Sequence, residues 1–312
     1  MLKVLSLAVL SFAVTFLATP RVMRWSLRHG FLGVDLHKAG QPRIPEQGGI
    51  AVVAGFLSAA LLYALLFHAS PRFYVTLLAV FLVAALGYYD RIRRLSAREK
   101  VLYLTAIGVV LLPFVEDTSI AGMELGFLYL IAVPLAFMCA CNFTNMLAGF
   151  NGLEIGTGAI ASLGVAIVAL LHSQEESFVI ALLLFASLIA FLHYNRYPAR
   201  VFPGDVATLA IGAALLPAII FGKLEREGML IFLPYVADAA LKFVSAGVMT
   251  REAQQPTLVK QGLLYPPEGG NLSLARLFLR LKPMREPQLV ILVWAVELAC
   301  VAVAIALAIA LR

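Results

Sequence analysis

The feature that most constrains this chain is a run of about twenty apolar residues that recurs along its whole length, broken by short polar segments. A helix needs ~20 mostly apolar residues to cross ~30 Å of hydrocarbon, where only helices and closed barrels satisfy their own backbone. Ten such segments predict membrane spans: Val4–Pro20, Gly49–Ala69, Phe73–Tyr89, Val101–Val115, Leu125–Met146, Leu153–His172, Phe178–Tyr194, Val206–Gly222, Met229–Met249 and Gln288–Leu311. The expected fold is an all-α polytopic membrane protein, one integral domain over residues 1–312. Two segments fit least well, because Val101–Val115 is short and Met229–Met249 contains Asp238 and Lys242. The first run reads as a retained helix rather than a signal peptide, since only Lys3 precedes it and Pro20 and Arg21 follow without a small-residue cleavage site.

Composition agrees, with 62% of residues apolar and 13% charged, where soluble domains run near half and a quarter. A soluble enzyme, a disordered chain and a secreted disulfide scaffold are excluded. Cys139, Cys141 and Cys300 all lie inside apolar runs and offer neither a disulfide framework nor zinc spacing. The net charge of +6 needs only basic loops on one side of a membrane, so no nucleic-acid partner is expected.

Lys and Arg set the orientation. With the N-terminus outside, the inward segments are Arg21–Gly48, Asp90–Lys100, Leu147–Gly152, Asn195–Asp205 and Thr250–Pro287, and they carry 18 of the 24 Lys and Arg. The positive-inside rule then places both termini outside and the polar motifs at the cytoplasmic face of a multi-pass cell-membrane protein.

The first inward loop, GVDLHKAGQPRIPEQGG, carries Asp35, His37, Lys38, Arg43 and Glu46 among turn formers, and by composition alone it is a solvated basic loop. The second, GYYDRIRRLSAREK, places Asp90 at the end of one span, Lys100 at the start of the next, and four arginines between them. Such charge suits anionic headgroups or a phosphorylated substrate equally. The third, NFTNMLAGFNGLEIGTG, puts Asn142, Asn145, Gly149, Asn151, Gly152 and Glu154 within thirteen residues at the end of an apolar span. Capping or interhelical bonding explains one or two of these amides but not three Asn and two Gly in one turn, so a polar pocket is expected. Asn145 shares a helix face with Asn142, and its amide oxygen can ligate a hard cation such as Mg²⁺. The fourth, VFPGDVATLAIG, sets Asp205 at a helix start, where a lone Asp is often just a cap. Here it joins Asp90, Asn145, Glu46 and Lys100 on one face, a set suited to Mg²⁺ and a diphosphate.

These segments carry a family resemblance. DLHKAGQPRIPEQGGI, NFTNMLAGFNGLEIG and VFPGDVATLAIG resemble, in order and spacing, the signatures of the polyprenyl-phosphate N-acetylhexosamine-1-phosphate transferases, in particular the dolichyl-phosphate GlcNAc-1-phosphotransferase branch of archaea and eukaryotes. The late stretch PTLVKQGLLYPPEGGNLSLARLFLRLKP is similar to the corresponding archaeal loop, and the likeness covers nearly the whole chain. The resemblance implies transfer of GlcNAc-1-phosphate from UDP-GlcNAc to polyprenyl or dolichyl phosphate, releasing UMP. It implies Mg²⁺, with Mn²⁺ as a substitute, held by Asn145 and Asp205. It implies catalytic roles for Asp90, Lys100, Asn145 and Asp205, Lys100 contacting phosphate. Leu36, Glu46, Asn142, Gly149 and Asn151 would bind substrate. A homodimer is an assembly open to such a protein, and membrane lipids are its surroundings.

Two departures stand out. The family's paired Asp is Asp90 followed by Arg91, which leaves either a dispensable second Asp or an altered enzyme. An arginine there is expected to meet the acceptor lipid phosphate through charge-assisted hydrogen bonds. The last inward loop lacks the histidines of bacterial relatives, which argues for the GlcNAc-type branch over the phospho-muramoyl-pentapeptide one. A secondary transporter or lipid-linked-sugar translocator is the rival class, resting on Asp238 and Lys242 as an ion relay. No internal repeat supports it, and mutual neutralisation of the pair is the preferred reading.

Overall fold

The computed structural model describes residues 2–38, 40–116, 118–120, 122–247 and 255–311, so Met249 at the end of the ninth expected span and Arg251 in the last basic segment lie outside the described residues. The chain is helical: α1 (Leu2–Arg28), α2 (Gly49–Phe67), α3 (Pro71–Arg93), α4 (Ala97–Val109), α5 (Tyr129–Met146), α6 (Leu153–Leu171), α7 (Glu175–Asn195), α8 (Gly204–Phe221), α9 (Glu225–Ile231), α10 (Leu233–Ala246), α11 (Leu274–Leu281) and α12 (Glu286–Ala310). Among the described residues, three two-stranded antiparallel ribbons decorate it: β1 (Leu32–Val34) with β2 (Arg43–Pro45), β3 (Ser119–Ile120) with β4 (Met123–Glu124), and β5 (Leu258–Lys260) with β6 (Leu263–Tyr265).

Helices α6 and α8 form the centre, each with 78% of its most apolar stretch buried, against 28% for α1 and 33% for α12. Both central helices are rich in Ala and Gly, which lets backbones approach where packing rather than water exclusion must hold helices together. A Cβ on Gly212 of α8 would stand 2.4 Å from the Ala140 carbonyl of α5.

Among the described residues, eight helices are long and apolar enough to cross a membrane, nine if α9 and α10 count as one span, where ten were expected. The fourth segment accounts for the difference. Helix α4 has only 13 residues, about 20 Å at 1.5 Å per residue, and gives way to a turn and a 3₁₀ turn at Leu112–Phe114. The ninth expected span is broken, with α9 and α10 meeting at 56° just ahead of Pro234, which has no N–H for the preceding turn.

The two ends of the bundle differ chemically. At one end Lys3 lies over the Phe67 ring, Glu175 accepts from Tyr63, Glu176 accepts twice from Ser70, and Arg72 pairs with Glu116 and donates to the Phe114 carbonyl. Phe114 therefore lies level with the start of α3, so the chain from Ala97 to Phe114 runs the length of that helix despite its irregular finish. The β1–β2 hairpin and all four polar motifs gather at the other end.

Candidate active site

Three helix termini carry the acid–lysine cluster. Asp90 sits in the last turn of α3, Lys100 in the first turn of α4 and Asp205 in the first turn of α8. The Lys100 ammonium is 2.6 Å from Asp90 Oδ2 and 2.6 Å from Asp205 Oδ2. Asp90 is buried, and its other oxygen accepts the Leu95 N–H at 2.7 Å, which closes the turn into α4. A Ser96–Glu99 capping box then starts α4 so that Lys100 faces inward. The two acids can share one lysine because α3 has Gly87 one turn before Asp90. A Cβ at that position would stand 2.7 Å from Val206 N and 2.8 Å from the Asp205 carbonyl carbon.

Asn145, in the last turn of α5, joins the cluster through Thr208, one turn beyond Asp205. Thr208 Oγ1 donates to Asn145 Oδ1 at 2.8 Å, which fixes the amide with one carbonyl lone pair still available. Thr144 donates to the Thr208 carbonyl and seals the same helix pair. Asn142, by contrast, donates into its own helix, to the Met138 carbonyl.

The hairpin loop is held from two sides. On one, Arg91 Nε lies 3.0 Å from Glu46 Oε2, and its Nη2 donates to the Leu32 carbonyl at 3.1 Å. The arginine expected at a lipid phosphate thus has its partners within the protein. On the other side, Asn151 is buried and both ends of its amide are tied to the protein: Oδ1 accepts from Ala199 N at 2.8 Å and Nδ2 donates to Asp35 at 3.2 Å. Lys38 lies 3.4 Å from Asp35 and 2.5 Å from Glu286, over the Tyr197 ring. Glu286, the first residue of α12, also accepts the Asn151 N–H at 2.6 Å.

Between these clamps Leu36 is exposed, and Gly149 has φ +118° with open space where a side chain would be. His37 stacks on Phe150, ring centroids 4.7 Å apart. Burial holds the His37 imidazole below its usual pKa of 6.5, with Asp35 opposing and Lys38 and Arg276 adding to the shift. The positive φ at Gly149 is open to Gly at no steric cost and strained for other residues.

The structure thus brings Asp90, Lys100, Asp205 and Asn145, all named from the sequence, together at one end of the bundle, and adds Glu286, Thr208 and Gly87, which the sequence did not single out. Asp238 and Lys242 are fastened to other parts of the fold. They pair at 2.7 Å, Asp238 accepts the Leu274 N–H at the start of α11, and Lys242 donates to the Met146 carbonyl at the end of α5. The pair is thus a structural tie between α10, α11 and α5, in keeping with mutual neutralisation rather than an ion relay.

Among the described residues no group of three or more His, Cys, Asp or Glu side chains forms a metal cluster. The available donors are carboxylate and amide oxygens beside a lysine. Such a set suits a hard cation that keeps most of its shell as water and phosphate.

Fold and site together define a multi-pass membrane protein with an acid–lysine–acid cluster and an oriented amide at one end of its helices. Residues 73–223 match Glycosyl transferase family 4, and they contain Asp90, Lys100, Asn145, Asn151 and Asp205. The chain is 42% identical over 264 residues to a provisionally named glycosyltransferase of Methanocaldococcus jannaschii, covering 84% of this chain and 83% of the relative. It is 30% identical over 312 residues to a protein of Saccharolobus solfataricus provisionally named UDP-N-acetylglucosamine–dolichyl-phosphate N-acetylglucosaminephosphotransferase, with 95% and 94% coverage. The phospho-N-acetylmuramoyl-pentapeptide-transferase of Enterococcus faecalis is 31% identical over 215 residues, with 63% and 67% coverage. The chain belongs to glycosyl transferase family 4, the membrane transferases that move a sugar-1-phosphate onto polyprenyl phosphate.

Proposed function

We propose that this protein transfers GlcNAc-1-phosphate from UDP-GlcNAc to a dolichyl-type polyprenyl phosphate, forming polyprenyl-diphosphate-GlcNAc and UMP. The observation that carries the reading is Lys100, held 2.6 Å from both Asp90 and Asp205 with Asn145 alongside. The near-full-length likeness to the Saccharolobus protein favours the GlcNAc and dolichyl substrates.

In the reaction an oxygen of the lipid phosphate attacks the β-phosphorus of UDP-GlcNAc and UMP leaves. That oxygen is already anionic near neutral pH, so acceleration rests on positioning and charge neutralisation more than on a base. Two of the three Lys100 N–H donors are spent on Asp90 and Asp205, which would leave the third for the diphosphate. Asp90 orients Lys100 and can take the remaining proton of a monoprotonated lipid phosphate. Asp205 and Asn145 would hold Mg²⁺, whose role when bound is to offset charge on the diphosphate. Leu36, Gly149 and the main chain around Asn151 would form the nucleoside and sugar pocket.

The basic segments gather at the site end of the bundle, which supports a cytoplasmic site, and the passage of Ala97–Phe114 beside α3 supports ten crossings. Single cysteines at Arg98 and Glu175 should label from opposite sides of sealed vesicles, and labelling from one side contradicts this topology. The function itself is tested by incubating purified protein with Mg²⁺, dolichyl phosphate and a panel of UDP-sugars and measuring UMP. UDP-GlcNAc should be the best donor, and a panel in which another sugar leads would replace it.

A further inference from the structure

Glu286 enters no motif, lies outside the residues that match the family, and is nonetheless buried among the groups that frame the pocket. Its two carboxylate oxygens do different things. Oε1 accepts the main-chain N–H of Asn151 at 2.6 Å, and Oε2 takes the Lys38 ammonium at 2.5 Å. Lys38 is itself enclosed, with Asp35 3.4 Å away and the Tyr197 ring 4.0 Å beneath. Asp35 in turn accepts from the Asn151 side chain. One carboxylate therefore closes a ring, Glu286–Lys38–Asp35–Asn151, that joins the first inward loop to the Asn-Gly turn and both to the head of the last helix. Leu36 and His37 lie inside the loop portion of this ring, and Gly149 and Phe150 adjoin the turn portion.

We infer that Glu286 is a positioning residue that sets the nucleotide-sugar pocket by locking the Asp35–Lys38 loop against the Asn151 turn. It touches neither Lys100 nor Asp205 in the structure, so its influence falls on donor binding rather than on the transfer step or on the lipid acceptor. This rests on the reading that Leu36, Gly149 and the Asn151 turn receive the nucleotide sugar.

The test is steady-state kinetics on the full-length protein in detergent, varying UDP-GlcNAc and dolichyl phosphate separately, with thermal shift by UDP-GlcNAc as a readout independent of turnover. Glu286→Ala should raise KM for UDP-GlcNAc about tenfold or more, with kcat and KM for dolichyl phosphate within about threefold of wild type. Glu286→Gln keeps an acceptor for Asn151 but loses the charge facing Lys38, and should fall between; it carries the test if the Ala variant does not fold. Lys38→Met should raise the same KM, and combined with Glu286→Ala it should add less than the product of the two effects. An unchanged KM for UDP-GlcNAc in Glu286→Gln, or equal damage to both substrates and kcat, overturns the inference and leaves the proposed function standing. A wild type that neither binds UDP-GlcNAc nor releases UMP from it removes both.

Discussion

Arg91 and Glu46 form an ion pair, Nε to Oε2 at 3.0 Å, that fastens the end of α3 to the β1–β2 hairpin. The position where the family's second Asp is expected therefore has an architectural task in this chain. Arg91 also donates a hydrogen bond from Nη2 to the Leu32 carbonyl, and its guanidinium lies 5.9 Å from the Phe31 ring centroid.

Restoring the family pair should not activate the protein. In Arg91→Asp the new carboxylate would face Glu46, the hairpin would lose its anchor, and KM for UDP-GlcNAc should rise several-fold with no gain in kcat. The loss of stability should be modest, about 1 kcal/mol, because the pair is partly solvated. Swapping the charges in Arg91→Glu with Glu46→Arg should recover part of the KM. A large rise in kcat in Arg91→Asp would show instead that the second carboxylate is catalytic and missing.

Gly87 should prove as important as the acids it brings together. A Cβ there meets main-chain atoms of Asp205 and Val206, which cannot swing aside like a side chain. Gly87→Ala should therefore push α3 away from α8, widen the Asp90–Asp205 spacing around Lys100, and lower kcat on the order of 10²-fold, at a stability cost of about 1–3 kcal/mol. Kinetics and thermal unfolding of the detergent-solubilised variant measure the two effects. Full turnover would mean that the shared lysine is not the centre of the site.

The His37 ring gives a pH signature. Its pKa is held down by burial, so in the acid range the unfolded chain binds a proton more readily than the folded one. Stability should be unaffected well above the usual 6.5 and should fall as pH drops through that value. His37→Asn should lose less Tm between pH 7 and pH 5 than wild type. Equal losses in the two proteins would show that His37 does not contribute.

Much of this was legible from sequence, because lipid imposes strict demands. An apolar run of span length has few alternatives to a helix, and amides or carboxylates at the end of such a run are too costly to be casual. That logic reached Asp90, Lys100, Asn145 and Asp205. It did not foresee that the helix of the fourth segment stops at Val109 and finishes in irregular turns, and it could not show that Asn151 turns its amide toward Asp35 and Ala199. Glu286 was hidden because a Glu before a Pro at a helix start reads as an ordinary first turn, and its partner Lys38 is 248 residues away. Gly87 was hidden among other small residues of an apolar helix, and only the approach of α8 gives it meaning.

Asp90, Lys100 and Asp205 are proposed to form the catalytic site of this sugar-1-phosphate transferase. UMP release from UDP-GlcNAc and dolichyl phosphate in the presence of Mg²⁺, compared between wild type and Asp205→Ala, tests it most directly. The wild type should turn over, and the variant should lose at least about 10³-fold with folding and membrane insertion intact. Near-normal UMP release by Asp205→Ala at saturating Mg²⁺ would contradict it.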